Sequence, residues 1–304
     1  MFHISFIIIF TVVFSTSIAS QALAEQVSVQ KALENVKEKV DDLVAAKDEN
    51  TNNDLNLRIE AFKKVVDFSI TEAKDLKLKL LSYDQLEDEL ATWKQAMTDN
   101  LNVALKYYES QKQNLNENEV TINTDEIKNL GQQFKTWRDE NYLTVSNQIN
   151  DFLLIQQEKQ AVQIAKKRLI KISGDINKIQ KAKIRGANDL LKLLNQADRL
   201  IKDGNQINQN AENSFDQLYL MPFRQTDQTD TTSSLESVTE SSSTEKNLII
   251  VNTISTATSS DTAMPAAENS IPSIKDSIKE SLAKIKGAYQ IFIEMSNLVR
   301  KLLK

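Results

Sequence analysis

Residues that interrupt helices are nearly missing from this chain. There are five glycines and three prolines in 304 residues, where average usage would give roughly 20 and 15. All three prolines (Pro222, Pro265, Pro272) lie in the last third, and between Ser28 and Met221 there is no proline and only four glycines. Proline removes a helix donor and clashes with the preceding turn, and a glycine costs about 1 kcal/mol relative to alanine inside a helix. A stretch that long without either is free to run as long helices, so the expected fold class is all-α.

Hydrophobic periodicity places the helices and their faces. Over 27–46, Val29, Leu33, Val36, Val40 and Leu43 step by 4, 3, 4, 3, the seam of a coiled coil. A polar loop, 47–54, follows. From 55 to 81 the seam is Leu55, Ile59, Phe62, Val66, Ser69, Ala73, Leu76 and Leu80, and Val65, Ile70 and Leu78 widen it. A wide stripe needs more than one neighbour, which predicts a bundle and not an isolated two-stranded coil. Ser82 with Gln85 fits a capping box, ahead of a third seam from Leu86 through Trp93 and Leu101 to Tyr108. The aperiodic, asparagine-rich 114–124 reads as a loop, and Thr124-Asp125-Glu126 as a helix start. The seam resumes at Ile127 and runs through Phe134, Trp137, Asn141 and Ile149 to Ile179, with Gly174 a place for a bend and Gly186 for a break. Another runs from Leu190 to Leu218. Trp93 and Trp137 fall on seams and read as core residues.

Periodicity stops after Met221. Twelve of the 23 residues 224–246 are Ser or Thr, too little apolar surface to offset the entropy of ordering. A disordered linker is therefore expected over 222–271, interrupted by the short apolar run Leu248–Val251. The last element, 272–304, opens at Pro272, which suits a first helical turn. Its seam is Ile274, Ile278, Ile285, Ala288, Phe292, Met295, Val299 and Leu302, and it carries seven Lys/Arg against three Asp/Glu. The expected architecture is an elongated, antiparallel, coiled-coil-like long-helix bundle over 25–221, then the linker, then a C-terminal amphipathic helix.

The first 24 residues read as a signal peptide. Ile4–Phe14 is an apolar core, small residues follow, and Ala22-Leu23-Ala24 is a cleavage pattern. The expected localisation is periplasm, cell surface or extracellular space. The first three residues hold no Lys or Arg, so an uncleaved N-terminal anchor is the alternative. No cysteine is present, which rules out disulfides and a lipid-modified cysteine. No N-x-[ST] sequon occurs either.

The residue inventory excludes much chemistry. The single histidine, His3, lies in the targeting segment. The mature chain therefore has no Ser-His-Asp triad, no Cys-His pair and no His or Cys metal site. No P-loop or G-x-G-x-x-G occurs. Asp48-x-Asn50-x-Asn52 resembles the start of a calcium loop, but Asn53 and Ile59 stand where that loop needs Gly and Glu. No cofactor, metal or catalytic residue is assigned, and the expectation is a non-enzyme. With a net charge of −5, nucleic acid is not the expected partner.

Two segments are candidate binding sites. Lys166, Lys167, Arg168, Lys171, Lys178, Lys181, Lys183 and Arg185 form a basic run containing one acid, Asp175. It reads either as a polyanion site or as a solvated face opposite the acidic first helix. The C-terminal helix presents Ile274, Ile278, Ile285, Phe292, Met295, Val299 and Leu302 as a membrane or partner face, or as a returning element of the bundle.

Three functions follow in order. The first is an exported structural or interaction protein that binds a protein or cell-wall polymer, with homo-oligomers through the seams. The second is a membrane-active or membrane-surface protein. In size, export and long helices the chain is similar to helical pore-forming toxins, although it lacks their long apolar hairpin. The third is an enzyme using paired carboxylates. N-terminal sequencing of the exported protein is expected to begin at Glu25-Gln26-Val27; a start at Met1 would favour the anchored alternative.

Overall fold

A computed structural model describes residues 16–48, 54–118, 121–184, 186–221 and 273–302. Residues 4–14, read as the apolar core of a signal peptide, 222–271, read as a linker with Leu248–Val251, and Arg185, Pro272 and Lys304 lie outside the described residues. The fold is all-α. Among the described residues its helices are α1 (Thr16–Asp48), α2 (Asp54–Leu81), α3 (Asp88–Asn118), α4 (Thr124–Trp137), α5 (Leu143–Lys181), α6 (Ala187–Phe215) and α7 (Ile274–Leu302). A π-helical turn, Arg138–Tyr142, joins α4 to α5, and a second, Asp216–Leu220, follows α6.

These helices gather in two compact units, Met1–Gln85 with Ala96–Val145, and Leu86–Gln95 with Ser146–Lys304. In the first unit α1 packs along α2. Its predicted seam is only half covered: Val29, Val36 and Leu43 are partly buried, while Leu33 and Val40 are exposed. The α2 stripe is better covered, with Ile59, Phe62, Val66, Leu76 and Leu80 buried. Phe62 meets Phe134 of α4 edge-on at 5.5 Å, and Phe134 lies 5.4 Å from Tyr108 of α3. Lys77 donates to Asn102 at 2.6 Å and Lys112 pairs with Asp67 at 2.8 Å, so α2 and α3 run antiparallel.

Helix ends correct several sequence expectations. Ser82 caps no helix: it lies in the turn after α2, where its hydroxyl donates to the Lys79 carbonyl, and α3 starts only at Asp88. Helix α3 extends through the asparagine-rich segment to Asn118, because Leu115 is buried and anchors its last turns. The capping box belongs to Asn123, whose Oδ1 accepts from the Asp125 and Glu126 amides while Glu126 accepts from the Asn123 amide. Gly174 introduces no bend that ends α5.

Helix α5 ends in a left-handed cap formed by Lys183. Its φ is +53°, the Ile184 amide donates to the Ile179 carbonyl and the Lys183 amide to Gln180. This is the two-bond pattern that usually places glycine at the left-handed position. The next left-handed residue, Gly186 at φ +94°, precedes α6, and a Cβ there would stand 2.8 Å from Leu302. Lys183 therefore carries a strain of roughly 1 kcal/mol that glycine would not. Lys183→Gly is expected to raise stability by about that amount; an unchanged or lower Tm would show that the cap is not strained.

Candidate functional site

The second unit holds both segments singled out in the sequence. Its core joins α5 (Val162, Ala165, Ile176), α6 (Leu190, Leu194, Ala197, Ile201) and α7 (Ile285, Ala288, Ile291, Phe292, Met295). Trp93, at the start of α3, is buried in the same unit between Phe152 and Phe215, at 5.3 and 5.2 Å, and its Nε1 donates to Gln148. Trp137, in the first unit, is half-buried and stacked on Tyr107 at 3.8 Å.

The apolar face of α7 is turned inward. Ile274, Ile278, Ile285, Phe292 and Met295 are buried, and Val299 and Leu302 are half-buried. The seam offered as an exposed membrane or partner face is thus occupied by the unit's own core, chiefly α6. Gly204 explains the fit. A Cβ at that position would lie 3.1 Å from Ile285 Cδ1, so the missing side chain lets α7 approach α6 closely.

A polar seal lies inside this seam. Glu158 of α5 is 1% exposed. Ser281 Oγ of α7 stands 2.5 Å from Glu158 Oε1 and 2.8 Å from the Gly204 carbonyl. One hydroxyl has one proton, and a carbonyl only accepts. The set closes when Glu158 is protonated and donates to Ser281, which donates to Gly204. Burial pushes the Glu158 carboxyl above its ordinary range. Two turns earlier on α5, Asp151 accepts from Tyr219 of the second π-helical turn at 2.9 Å. Burial raises the Asp151 carboxyl, opposed by Tyr219 and Lys275, and burial beside that carboxylate raises the Tyr219 phenol.

The first unit has its own polar centre, partly buried, at the other π-helical turn. Arg138 donates to Ser69 Oγ at 2.7 Å and to Glu72 at 2.5 Å, and lies 4.8 Å over the Tyr142 ring. Ser69 in turn donates to the Val65 carbonyl at 2.9 Å. Burial opposes the charge on Arg138, and Glu72 more than restores it, so its pKa is raised. Sequence patterning marked Ser69 and Asn141 as seam positions but gave no sign of either π-helical turn.

The basic run divides. Lys167, Lys171, Lys178 and Lys181 fall within one side of α5 and are exposed. Lys166 donates to Asn205 at 2.6 Å, Arg168 stands 4.9 Å over the Tyr289 ring of α7, and Lys178 pairs with Asp175 at 3.0 Å. Lys183 is exposed beyond the helix end. Ile170 is 72% and Ile164 50% exposed on either edge of the lysine line. Two groups of atoms that sequence alone could not place together, the lysines of α5 and the outer residues of α7, thus meet at the Arg168–Tyr289 contact.

Among the described residues no cluster of three or more acidic or histidine side chains could hold a metal, and no helix is long and apolar enough to cross a membrane. No family model, curated protein or solved structure matches the chain.

The Glu158 seal sets a pH dependence. The folded chain holds this proton more tightly than the unfolded chain, so stability falls as pH rises from the ordinary carboxylate value of 4.5 through the raised folded value. Asp151 contributes with the same sign. Glu158→Gln is expected to melt higher than the parent at neutral pH and to show a flatter stability profile as pH rises above the ordinary carboxylate value. A steeper profile, or a lower Tm throughout, would contradict a neutral Glu158.

Proposed function

We propose that this chain is an exported, non-enzymatic helical interaction protein of the cell envelope or extracellular space, and that it binds through the lysine-bearing outer side of the second unit. The observation that carries this reading is the line Lys167, Lys171, Lys178 and Lys181 on a protein whose net charge is −5. Only Lys178 of the four has an acid as its partner among the described residues. Like charges one turn apart on a helix repel by about 0.2–0.5 kcal/mol per pair, so the line weakens α5 unless something anionic meets it.

The use made of buried polar side chains supports interaction over catalysis. Glu158 and Ser281 tie α5 to α7, Asp151 ties α5 to Tyr219, and Arg138 ties the first π-helical turn to α2. Each joins one helix to another and lies in a packed seam. Lys167→Gln/Lys171→Gln/Lys181→Gln is expected to elute from an immobilised polyanion at clearly lower salt than the parent, with the same Tm. Equal elution would remove the lysine line from the reading.

A further inference from the structure

We propose that the outer face of the α5–α7 pair docks on an anionic lipid bilayer surface, with α7 still packed in its unit. The proposal rests on the interaction reading above and names its partner. Contacts between Glu158 and Ser281 and between Arg168 and Tyr289 fix α5 and α7 side by side and running in the same direction. Residues three or four apart on a helix are surface neighbours. On α5, Ile164 and Lys171 flank Arg168 at i−4 and i+3, with Lys167 beside them. On α7, Leu282, Lys286 and Ile293 flank Tyr289 at i−7, i−3 and i+4. All six are exposed, and they border one seam.

The composition of this face selects the occupant. Ile164 is 50%, Leu282 47% and Ile293 61% exposed, interleaved with three lysines that have no acidic partner among the described residues. Lysines alone would suit any polyanion. Branched apolar side chains beside them gain nothing from a hydrated polymer, but they gain from entering the headgroup–acyl boundary while the lysines meet the headgroups. The acids of α7, Asp276, Glu280 and Glu294, lie about 100° or more around the helix from the Leu282–Ile293 line. Arg168 and Tyr289 in the seam extend the same chemistry, a cation on an amphipathic ring. The apolar stripe Ile274 to Leu302, read from sequence as a membrane or partner face or as a returning element of the bundle, stays inside, so docking needs no unpacking of α7.

The test is co-sedimentation of the mature chain, residues 25–304, with vesicles of phosphatidylglycerol and phosphatidylcholine or of phosphatidylcholine alone. Parallel measurements use soluble polyphosphate. Binding is expected on the anionic vesicles and not on the neutral ones. Each lysine at an anionic leaflet raises partitioning about fivefold, so Lys167→Gln/Lys171→Gln/Lys286→Gln is expected to lower it about a hundredfold. Ile164→Ser/Leu282→Ser/Ile293→Ser is expected to weaken vesicle binding while leaving polyphosphate binding unchanged. All six positions are on the surface, and circular dichroism and Tm confirm that both variants fold. The proposal is overturned by equal binding to neutral vesicles, by indifference to either triple substitution, or by binding to polyphosphate alone. The last result would leave the interaction reading standing; no binding to either probe would remove both.

Discussion

Covering the apolar stripe of α6 is the constraint on which the second unit depends. Leu190, Leu194, Ala197 and Ile201 line it, and α5 alone cannot bury a stripe that faces two ways. Helix α7 closes it from the other side. The close approach is permitted by Gly204 against Ile285 and by Gly186 against Leu302. Once α7 is seated, its register on α5 follows, and so do Ser281 beside Glu158 and Tyr289 beneath Arg168. The outer face of the pair is then a consequence of core packing: whichever residues of α5 and α7 are not needed inside must share one surface.

Buried polar groups give this packing its selectivity. An apolar seam tolerates sliding by a helical turn at modest cost. A seam containing Glu158 does not, because any other register would leave the carboxyl buried without Ser281. Arg138 acts in the same way in the first unit, since it meets Ser69, Glu72 and Tyr142 only from its place in the π-helical turn. Burying an unpaired guanidinium would be costly, so the turn and its partners are mutually dependent. Both π-helical turns hold a residue of such a tie, Arg138 in one and Tyr219 in the other.

The functional reading follows from what is left on the surface. Chemistry that depends on cysteine is closed by composition, and the one histidine is His3. The buried Glu158, Ser281 and Asp151 serve as ties between helices. Lys167, Lys171 and Lys286, with Ile164, Leu282 and Ile293, are exposed, and the recognition proposed for them is that of an anionic surface.

Composition and periodicity determined that the protein is all-α, that α2 carries a wide stripe, that Trp93 is core and that a break falls near Gly186. These are local properties: too few breakers to interrupt the backbone, and apolar spacing that fixes a face. The end of α3 at Asn118, the cap at Asn123 and the exposed Leu33 and Val40 were not legible, because each depends on whether a neighbour covers the position. Patterning gave α7 an apolar face without saying what would cover it, and a basic run on α5 without saying what would lie beside it. Tertiary packing decided both. It turned Ile274–Leu302 inward against α6 and set Leu282, Lys286 and Ile293 next to the lysines of α5. Periodicity names the stripe on a helix, but only the shape and polarity of the helices around it decide which side meets the core and which meets the outside.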